Sequence, residues 1–477
     1  MDLQKINTAF ERCSDYSVRT LQFGSGFVSV LYLDGLCDKK FIHDYILSPL
    51  TGSERDDMPD LSALLTGGKL IPVPCEADAI RALLDGNAVV SDGSVTFAVP
   101  VQNEISRGIN EPETETVIRG PREGFTENAS VNAALLRRRI RSSCLKQESI
   151  TVGDETNTRL LLMYMDNLAA PQVLECVRKR LAGIDTGGVL GSGTVEIYLQ
   201  DGRAPLFPSV GNSERPDKVA AKLLEGRVAV IADGSPVVLT VPYLFTEALQ
   251  SSEDYSKSPY YATFLRLLRF FSLLIALFLP AVFIALMYFH QTAIPLSLLQ
   301  KISESRAAIP LPVFWETIFT LLSFEIIREV GIRMPRSVGG AVSLAAALIL
   351  GDSAIAAGIA SAPVIIVTAF SAICSFAVPP LSNAQTIMRF LLLIAARLAG
   401  LFGIGILTIL MLIFLCAKDS CSVPYFSPFA PVSGTGLIDF LIMAPVYAMK
   451  KVPAAITRKN ITRAHGKSRT NRSDIAP

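Results

Sequence analysis

Two related cytoplasmic α/β subdomains followed by a polytopic helical transmembrane domain is the architecture this sequence predicts. Three observations predict it. Charges are dense up to about Lys257 and sparse from Phe264 to Met449. Between Ser337 and Val378 a single charged residue, Asp352, interrupts a run of Ala, Ile, Val, Leu, Gly and Ser. Such a run is too long for an ordinary core helix and reads as membrane-embedded. Finally, LLDGNAVVSDGSVTFAVP at 83–100 returns almost position for position as LLEGRVAVIADGSPVVLTVP at 223–242, the mark of an internal repeat.

The 477 residues have room for two or three domains. Acids and bases nearly cancel (43 against 44), so net charge gives no sign of a nucleic-acid partner. The first 25 residues have no apolar core, which predicts no cleaved signal peptide and a cytoplasmic N-terminal half. The eight cysteines and three histidines lack metal-ligand spacing, so no metal site is expected. Cys416 and Cys421 read as isolated thiols, or as a pair beyond a membrane span.

The expected units are 1–125 (first subdomain with its connector), 126–255 (second subdomain), 256–449 (transmembrane domain) and 450–477 (basic cytoplasmic tail). In the first, Val28, Val30 and Tyr32 alternate along a strand that turns at Asp34-Gly35. A helix follows from about Lys39 to Leu47. Residues 158–168 repeat the design, with Tyr164, Asp166 and Leu168 in the places of Tyr32, Asp34 and Leu36. Each unit then closes alike: a helix stopped by Gly86 or Gly226, a strand, a turn at Asp92-Gly93-Ser94 or Asp233-Gly234-Ser235, and a second strand ending at Pro100 or Pro242. Asp-Gly is the expected dipeptide where a two-residue hairpin needs positive φ. Both turns read as structural. There is no phosphate loop, GxSxG elbow or complete GxGxxG, so neither catalytic residues nor a cofactor are expected.

Between the units, Pro112 and Gly120-Pro121 predict extended connectors, and 128–141 an amphipathic helix ending in Arg137, Arg138, Arg139 and Arg141. That cluster suits acidic headgroups, nucleic acid or a neighbouring acidic surface; a solvated face is the other reading. Farther on, Ser213 reads as a helix N-cap or its lead-in, with Pro216 in the first turn.

The membrane half reads as six spans at about 264–289, 311–327, 338–351, 358–378, 390–416 and 437–449. The third and sixth fall short of the roughly 20 residues a crossing needs, so four spans is the alternative. Lys257, Arg266 and Arg269 before the first span, and the basic tail, place both ends in the cytoplasm. Ionisable residues at membrane depth are costly and mark function or pairing: Glu316, Glu325, Arg328, Glu329, Asp352 and Arg397. Glu325, Arg328 and Glu329 share a face and can pair locally. Ala357, Ser361, Val364 and Thr368 recur at three- or four-residue spacing and form a small, weakly polar face suited to close packing or to a pore with a hydrophobic gate.

Specific stretches carry a resemblance: Glu111-Pro-Glu-Thr-Glu115, Arg119-Gly-Pro-Arg-Glu-Gly-Phe125-Thr-Glu127, Asn132, Arg137-Arg-Arg139, Glu214-Arg-Pro-Asp217, Leu224-Glu-Gly-Arg227, Glu253-Asp-Tyr255, Glu325-Ile-Ile-Arg-Glu329, Gly331-Ile-Arg-Met-Pro335 and Pro424-Tyr-Phe-Ser-Pro428. Over about 25–453 the chain resembles the A subunits of spore-germination nutrient receptors of endospore-forming bacteria, a family that also includes a stage V sporulation membrane protein. It departs from the family pattern at Asp352, where Gln is expected, and at Ala362 before Pro363. The resemblance implies an inner-spore-membrane protein that self-associates into a ring and releases ions when nutrient binds. Its implied partners are a transporter-like, germinant-binding B subunit, a C-subunit lipoprotein and membrane lipids, with no nucleic acid. Arg119, Gly120, Pro121, Arg122, Glu123, Phe125, Glu127, Asn132 and Arg137 are expected to serve assembly. A secondary transporter and a scaffold for partner subunits are the competing classes; the absence of a repeat among the spans counts against a transporter.

Overall fold

The computed structural model describes residues 1–23, 26–51, 61–65, 70–103, 111–112, 115, 120–202, 206–334, 349–432, 439–440, 442–445 and 454–457. The first unit runs α1 (Leu3–Ala9), β1 (Tyr16–Phe23), β2 (Gly26–Leu33), α2 (Lys39–Ile42), a π turn His43–Leu47, α3 (Ser48–Thr51), α4 (Leu61–Leu64), β3 (Ile71–Pro72), α5 (Glu76–Leu84), β4 (Asn87–Ser91) and β5 (Thr96–Pro100). The second runs α6 (Ala129–Arg139), β6 (Leu145–Val152), β7 (Thr158–Met165), α7 (Pro171–Ala182), α8 (Ser192–Leu199), β8 (Gly211–Ser213), α9 (Pro216–Leu223), β9 (Val228–Ala232) and β10 (Val238–Val241). The two sheets have the orders β1-β2-β4-β5-β3 and β6-β7-β9-β10-β8, the same permutation with every pair antiparallel. Two sheets of one connectivity from one chain are what a duplication produces.

The alternation read from the sequence sets each sheet's two faces. Val28, Val30 and Tyr32 pack into one core of the first unit, while Leu31 and Leu33 pack into another with α1 and α5. In the second unit Leu160, Leu162 and Tyr164 face α7, and Leu161, Met163 and Met165 face α6 and α9. Gly86 and Gly226 stop α5 and α9 at φ 84° and 90°, where a Cβ is disfavoured. The Asp-Gly turns are longer than two residues: Ser91 pairs with Thr96, and Ile231 with Val238. The aspartates explain the extra length. Asp92 Oδ1 accepts from the backbone amides of Ser94 and Val95, building an Asx turn. Asp233 Oδ1 reaches 2.9 Å to the amide of Ala129 at the start of α6. Ser213 lies in β8, and α9 begins at Pro216 with Arg215 at its N-cap.

Beyond the second unit the chain forms a helical bundle: α10 (Pro259–Phe289), α11 (Leu296–Arg306), α12 (Val313–Arg333), α13 (Ala362–Ser375) and α14 (Ser382–Ala417). Pro259–Phe289 and Pro379–Ala417 are long and apolar enough to cross a membrane. Large apolar side chains are exposed along the bundle, among them Phe264, Trp315, Ile366, Ile373, Leu398 and Phe402. An apolar surface of that kind suits lipid and not water.

The fifth predicted span is the one the structure revises. α14 is two antiparallel halves, joined where Ala399 (φ −138°, ψ 17°) and Gly400 (φ 60°, ψ −141°) leave helical geometry. Ser382 to Ala384 at its start border the same cleft as Leu206 and Tyr255 of the soluble half. Lys418, just past its end, donates to the carbonyl of Phe207. Gly400, midway, sits against Phe289 at the far end of α10. Both ends of α14 are therefore at the second subdomain and its middle is at the opposite end of the bundle. The predicted span 338–351 lies outside the described residues but for 349–351; of 437–449, residues 439–440 and 442–445 are described, and none of these is helical.

Candidate functional site

Polar groups collect at three levels of this bundle. At the far end, the buried Glu316 on α12 accepts hydrogen bonds from the amide and the hydroxyl of Ser361, and Arg306 Nε lies 3.4 Å from it. Ser361 is the N-cap residue of α13. A carboxylate at that position offsets the unpaired amides of the first turn and the positive end of the helix dipole.

A second cluster lies nearer the soluble half. Glu325 on α12 is ion-paired with Arg389 on α14 and, at 2.6 Å, with Arg328. Thr386 donates to Glu325 at 3.2 Å, and Arg389 donates to Ser371 on α13 at 3.3 Å. Ser371 in turn donates to the carbonyl of Ala276 on α10. One network thus ties four helices together. Its opposite charges are paired with one another, which offsets part of the cost of burying them. Arg389 Nε and Gln385 Oε1, both buried, have no hydrogen-bond partner.

At the junction between the second subdomain and the bundle, Arg266 and Arg269 on α10 both engage the buried Asp254, and Arg266 also binds Asp439 at 2.8 Å. On the subdomain side, Glu247 is buried between Arg227 (2.8 Å) and Lys222 (3.1 Å). Burial disfavours charge on Lys222 and lowers its pKa to about 8, against the pull of Glu247. Burial also opposes the Glu247 carboxylate, yet Arg227 and Lys222 together outweigh it and hold its pKa below the usual value. Lys222, Arg227 and Glu247 edge an open cleft of ≈ 1330 Å³ that Pro379, Pro380 and Ser382 to Ala384 border from the bundle side.

A further strut is formed by the chain that leaves α14. It makes a short hairpin, β11 (Asp419–Ser420) and β12 (Val423–Pro424). Ser420 donates to the carbonyl of Ser209 and accepts from the amide of Tyr243. Phe245 donates through its amide to the carbonyl of Tyr425. Cys421 and Val423 are buried in the core of the second subdomain.

The sequence profile of the family described as Bacillus/Clostridium GerA spore germination protein matches residues 4–455. The chain belongs to that family. Spore germination protein KA of Bacillus subtilis (strain 168) is 37% identical over 464 residues, spanning 94% of this chain and 85% of that protein. Stage V sporulation protein AF of the same organism is 32% identical over 457 residues, spanning 94% and 92%. Among solved structures, the N-terminal domain of the A subunit of the Bacillus megaterium spore germinant receptor GerK3 is 30% identical. It covers 51% of this chain and 94% of that chain, with a TM-score of 0.40.

The stretches that resemble the family fall mostly on intrachain contacts. Arg137 is buried in an ion pair with Asp15 of the first subdomain and donates to the carbonyl of Leu145 at 3.1 Å. Asn132 is fully buried and holds the amide and carbonyl of Thr126. Phe125 is buried against α6 and α9, its amide donating to Glu214. Glu123 pairs with Arg139, Arg122 with Glu111 at 3.3 Å, and the Glu127 carbonyl accepts from the amide of Gly234. Gly120 has φ 132°, and Pro121 follows it at the surface; Arg119 lies outside the described residues. Arg141 pairs with Asp85, so the acidic surface facing this basic cluster belongs to the same chain.

Val364 and Thr368 on α13 and its N-cap Ser361 are buried inside the chain, while Ala357, in the segment before α13, is exposed. Asp352 is exposed, Glu329 pairs with Arg333 at 2.7 Å, and Arg397 stacks 4.4 Å over the Tyr288 ring. Sequence reasoning missed Arg389, because it started the span at residue 390. Three residues that bind it or its partner, Glu325, Ser371 and Thr386, are spaced along neighbouring helices and carry no shared local pattern. Arg266 and Arg269, read as markers of the cytoplasmic side, are engaged by Asp254. Among the described residues no group of three or more His, Cys, Asp or Glu is placed to hold a metal.

Proposed function

We propose that this chain is the A subunit of a spore germinant receptor, a multi-pass protein of the inner spore membrane that converts nutrient binding into ion release. The observation that carries the proposal is the family match over nearly the whole chain together with two struts, Arg266–Asp254–Asp439 and the 418–425 segment, that lock a soluble domain to a polar-seamed bundle. Such a linkage suits a protein that passes movement between a cytoplasmic module and a membrane path. In this reading the soluble half and the basic tail face the spore core. In the same reading residues 258 and 418 lie on one side, so an even number of passages separates them.

The partners in this reading are a transporter-like B subunit that binds the germinant, a C-subunit lipoprotein, lipids, and further copies of the chain in a ring. The Arg119–Arg137 motif then supports assembly indirectly, by fixing one subdomain on the other. If Ala357, Ser361, Val364 and Thr368 line the conducting path, that path runs beside α10 and α12 within each copy. Deleting the gene tests the proposal: spores should lose cation release and germination in response to particular nutrients, and complementation should restore both. A slowed response to every nutrient would favour the stage V role, an ion channel that amplifies germination, which the likeness to stage V sporulation protein AF supports. Unchanged conductance of liposomes carrying the chain with its partners would favour a scaffold, and uptake of a solute would favour a transporter.

A further inference from the structure

The cleft between the second subdomain and the bundle has more acid on its walls than its own cations cover. Lys218 is taken up by Glu115, Lys222 by Glu247, and Arg227 by Glu247 and Glu225. Asp217 is held by Arg215. Glu196, half-buried on α8, also lines the cleft, and among the described residues no cation lies within ion-pair distance of it. Its carboxylate accepts a hydrogen bond from the Gln200 side chain at 2.8 Å. Burial raises its pKa, and only that hydrogen bond opposes the rise. A carboxylate in such a place attracts a cation more strongly than one in water does.

A run of cations starts at the rim of this cleft. The short helix Ala454–Thr457 is the last described part of the chain. Ile456 is buried in the core of the second subdomain. Thr457 packs on Gly226, where a Cβ would lie 2.7 Å from Thr457 Cγ2 and 2.9 Å from the Leu168 carbonyl oxygen. Leu168, Leu224, Glu225 and Arg227, which surround that contact in sequence and space, all line the cleft. Directly after Thr457 come Arg458, Lys459, Arg463, Lys467, Arg469 and Arg472 against one acid, Asp474. These lie outside the described residues. The six residues to Arg463 reach about 20 Å when extended, and so short a tether holds its charges at an effective concentration on the order of millimolar.

We propose that the basic segment 458–477 of this chain docks in the cleft, its cations on Glu196 and Glu225, as a strap between the second subdomain and the joint of α13 and α14. Pro379, Pro380 and Asn383 form the bundle wall of the cleft, so the docked segment touches both halves of the protein at once. The Arg266–Asp254 and Lys418–Phe207 contacts join the same halves through buried groups. The strap joins them through charges at an open cleft, so it is the tie that salt weakens most.

The test is zero-length coupling of lysine to carboxylate by a water-soluble carbodiimide, on the full-length protein in neutral detergent at low salt. The band that runs as a single chain on a denaturing gel is digested and read by mass spectrometry. Lys218 coupled to Glu115 is the internal standard. The expected product is an amide between Lys459 or Lys467 and Glu196, weaker by about five-fold or more in about 0.5 M salt. Coupling that stops at Glu225, that reaches only carboxylates outside the cleft, that occurs only between chains, or that fails altogether overturns the proposal. Trypsin gives a second readout: cleavage after Arg458, Lys459 and Arg463 should be about five-fold faster in E196Q/E225Q, and equal rates overturn the docking. Should that variant fold poorly, R458Q/R463Q changes only the docked segment and should lower the Lys459–Glu196 coupling by a similar factor; unchanged coupling overturns the docking. Repeating the coupling in nanodiscs separates the cleft from the membrane surface. Its loss with phosphatidylglycerol, but not with neutral lipid, would give the segment to lipid headgroups and overturn the proposal.

Discussion

Replacing Arg137 with Met removes one charge from a pair whose side chains are 1% and 5% exposed. Asp15 is then left buried without its partner, and the carbonyl of Leu145 loses a donor. Breaking a buried pair from one side costs roughly 3–5 kcal/mol, because the remaining charge is uncompensated. For the soluble segment 1–257, a urea dependence of about 3 kcal/mol/M lowers the unfolding midpoint by about 1–1.7 M. Circular dichroism of the purified segment measures it directly. The double variant D15N/R137M buries no charge at this site, so its cost should fall below the sum of the two single costs by about 2 kcal/mol or more. A midpoint shift under about 0.3 M, or additive effects in the double variant, would refute the reasoning. Loss of self-association with an unchanged midpoint would move Arg137 to a surface between copies.

Three other outcomes follow from the same geometry. Lys222 titrates near 8 in the folded state against an ordinary 10.5, so the unfolded chain binds more protons between those values. Its contribution to stability therefore rises with pH across that window, by at most about 1.4 kcal/mol per unit, and K222M should flatten the slope of the urea midpoint measured from pH 7.5 to 9.5; equal slopes would reject it. Gly400→Ala puts a Cβ at φ 60° and ψ −141°, 3.0 Å from the Phe289 ring, and should lower the melting temperature of the full chain in detergent. Adding F289A should restore only part of it, since the backbone strain stays; full restoration would show the strain to be negligible. Val364→Ser places a hydroxyl in a fully buried site and should cost about 1–3 kcal/mol with no resting ion leak. A leak at a normal protein level would instead put the conducting path along that face.

The repeat was legible because it is written in turn chemistry. Gly86 and Gly226 end equivalent helices, and the two Asp-Gly turns mark equivalent strand pairs, so a short local signal located long-range topology. The direction of the chain through the bundle was not legible. Periodicity reports which side of a helix is apolar, but the halves of α14 are both apolar, and only Gly400 at φ 60° separates them. The cluster Gly400, Gly403 and Gly405 was a usable signal: a Cβ at Gly403 would lie 2.3 Å from the Ala395 carbonyl, the close approach that a tight helical turn-back demands. The pairing of these charges was hidden for a related reason. Arg266 and Arg269 mark the cytoplasmic side in the linear sequence, and their partner Asp254 stands twelve and fifteen residues earlier, across a turn that hydropathy does not reveal.

The placement of the struts bears on how the two halves communicate. Arg266 meets Asp254 where the chain enters the bundle, and Lys418 and Ser420 grip the second subdomain where it leaves. The cleft lined by Lys222 and Glu247 is bordered by Pro379, Pro380 and Ser382 to Ala384, at the joint between α13 and α14. A shift of the second subdomain therefore acts on three points of the bundle together. The Glu325–Arg389–Ser371 network lies directly beyond them and joins α12, α14 and α13, with α10 held through the Ala276 carbonyl. Packed, mutually paired polar clusters have discrete arrangements and do not deform continuously, so a small displacement at the struts is either resisted or converted to a different pairing. Arg389 Nε and Gln385 Oε1, unpartnered and buried, are the groups with bonding capacity left for that second arrangement.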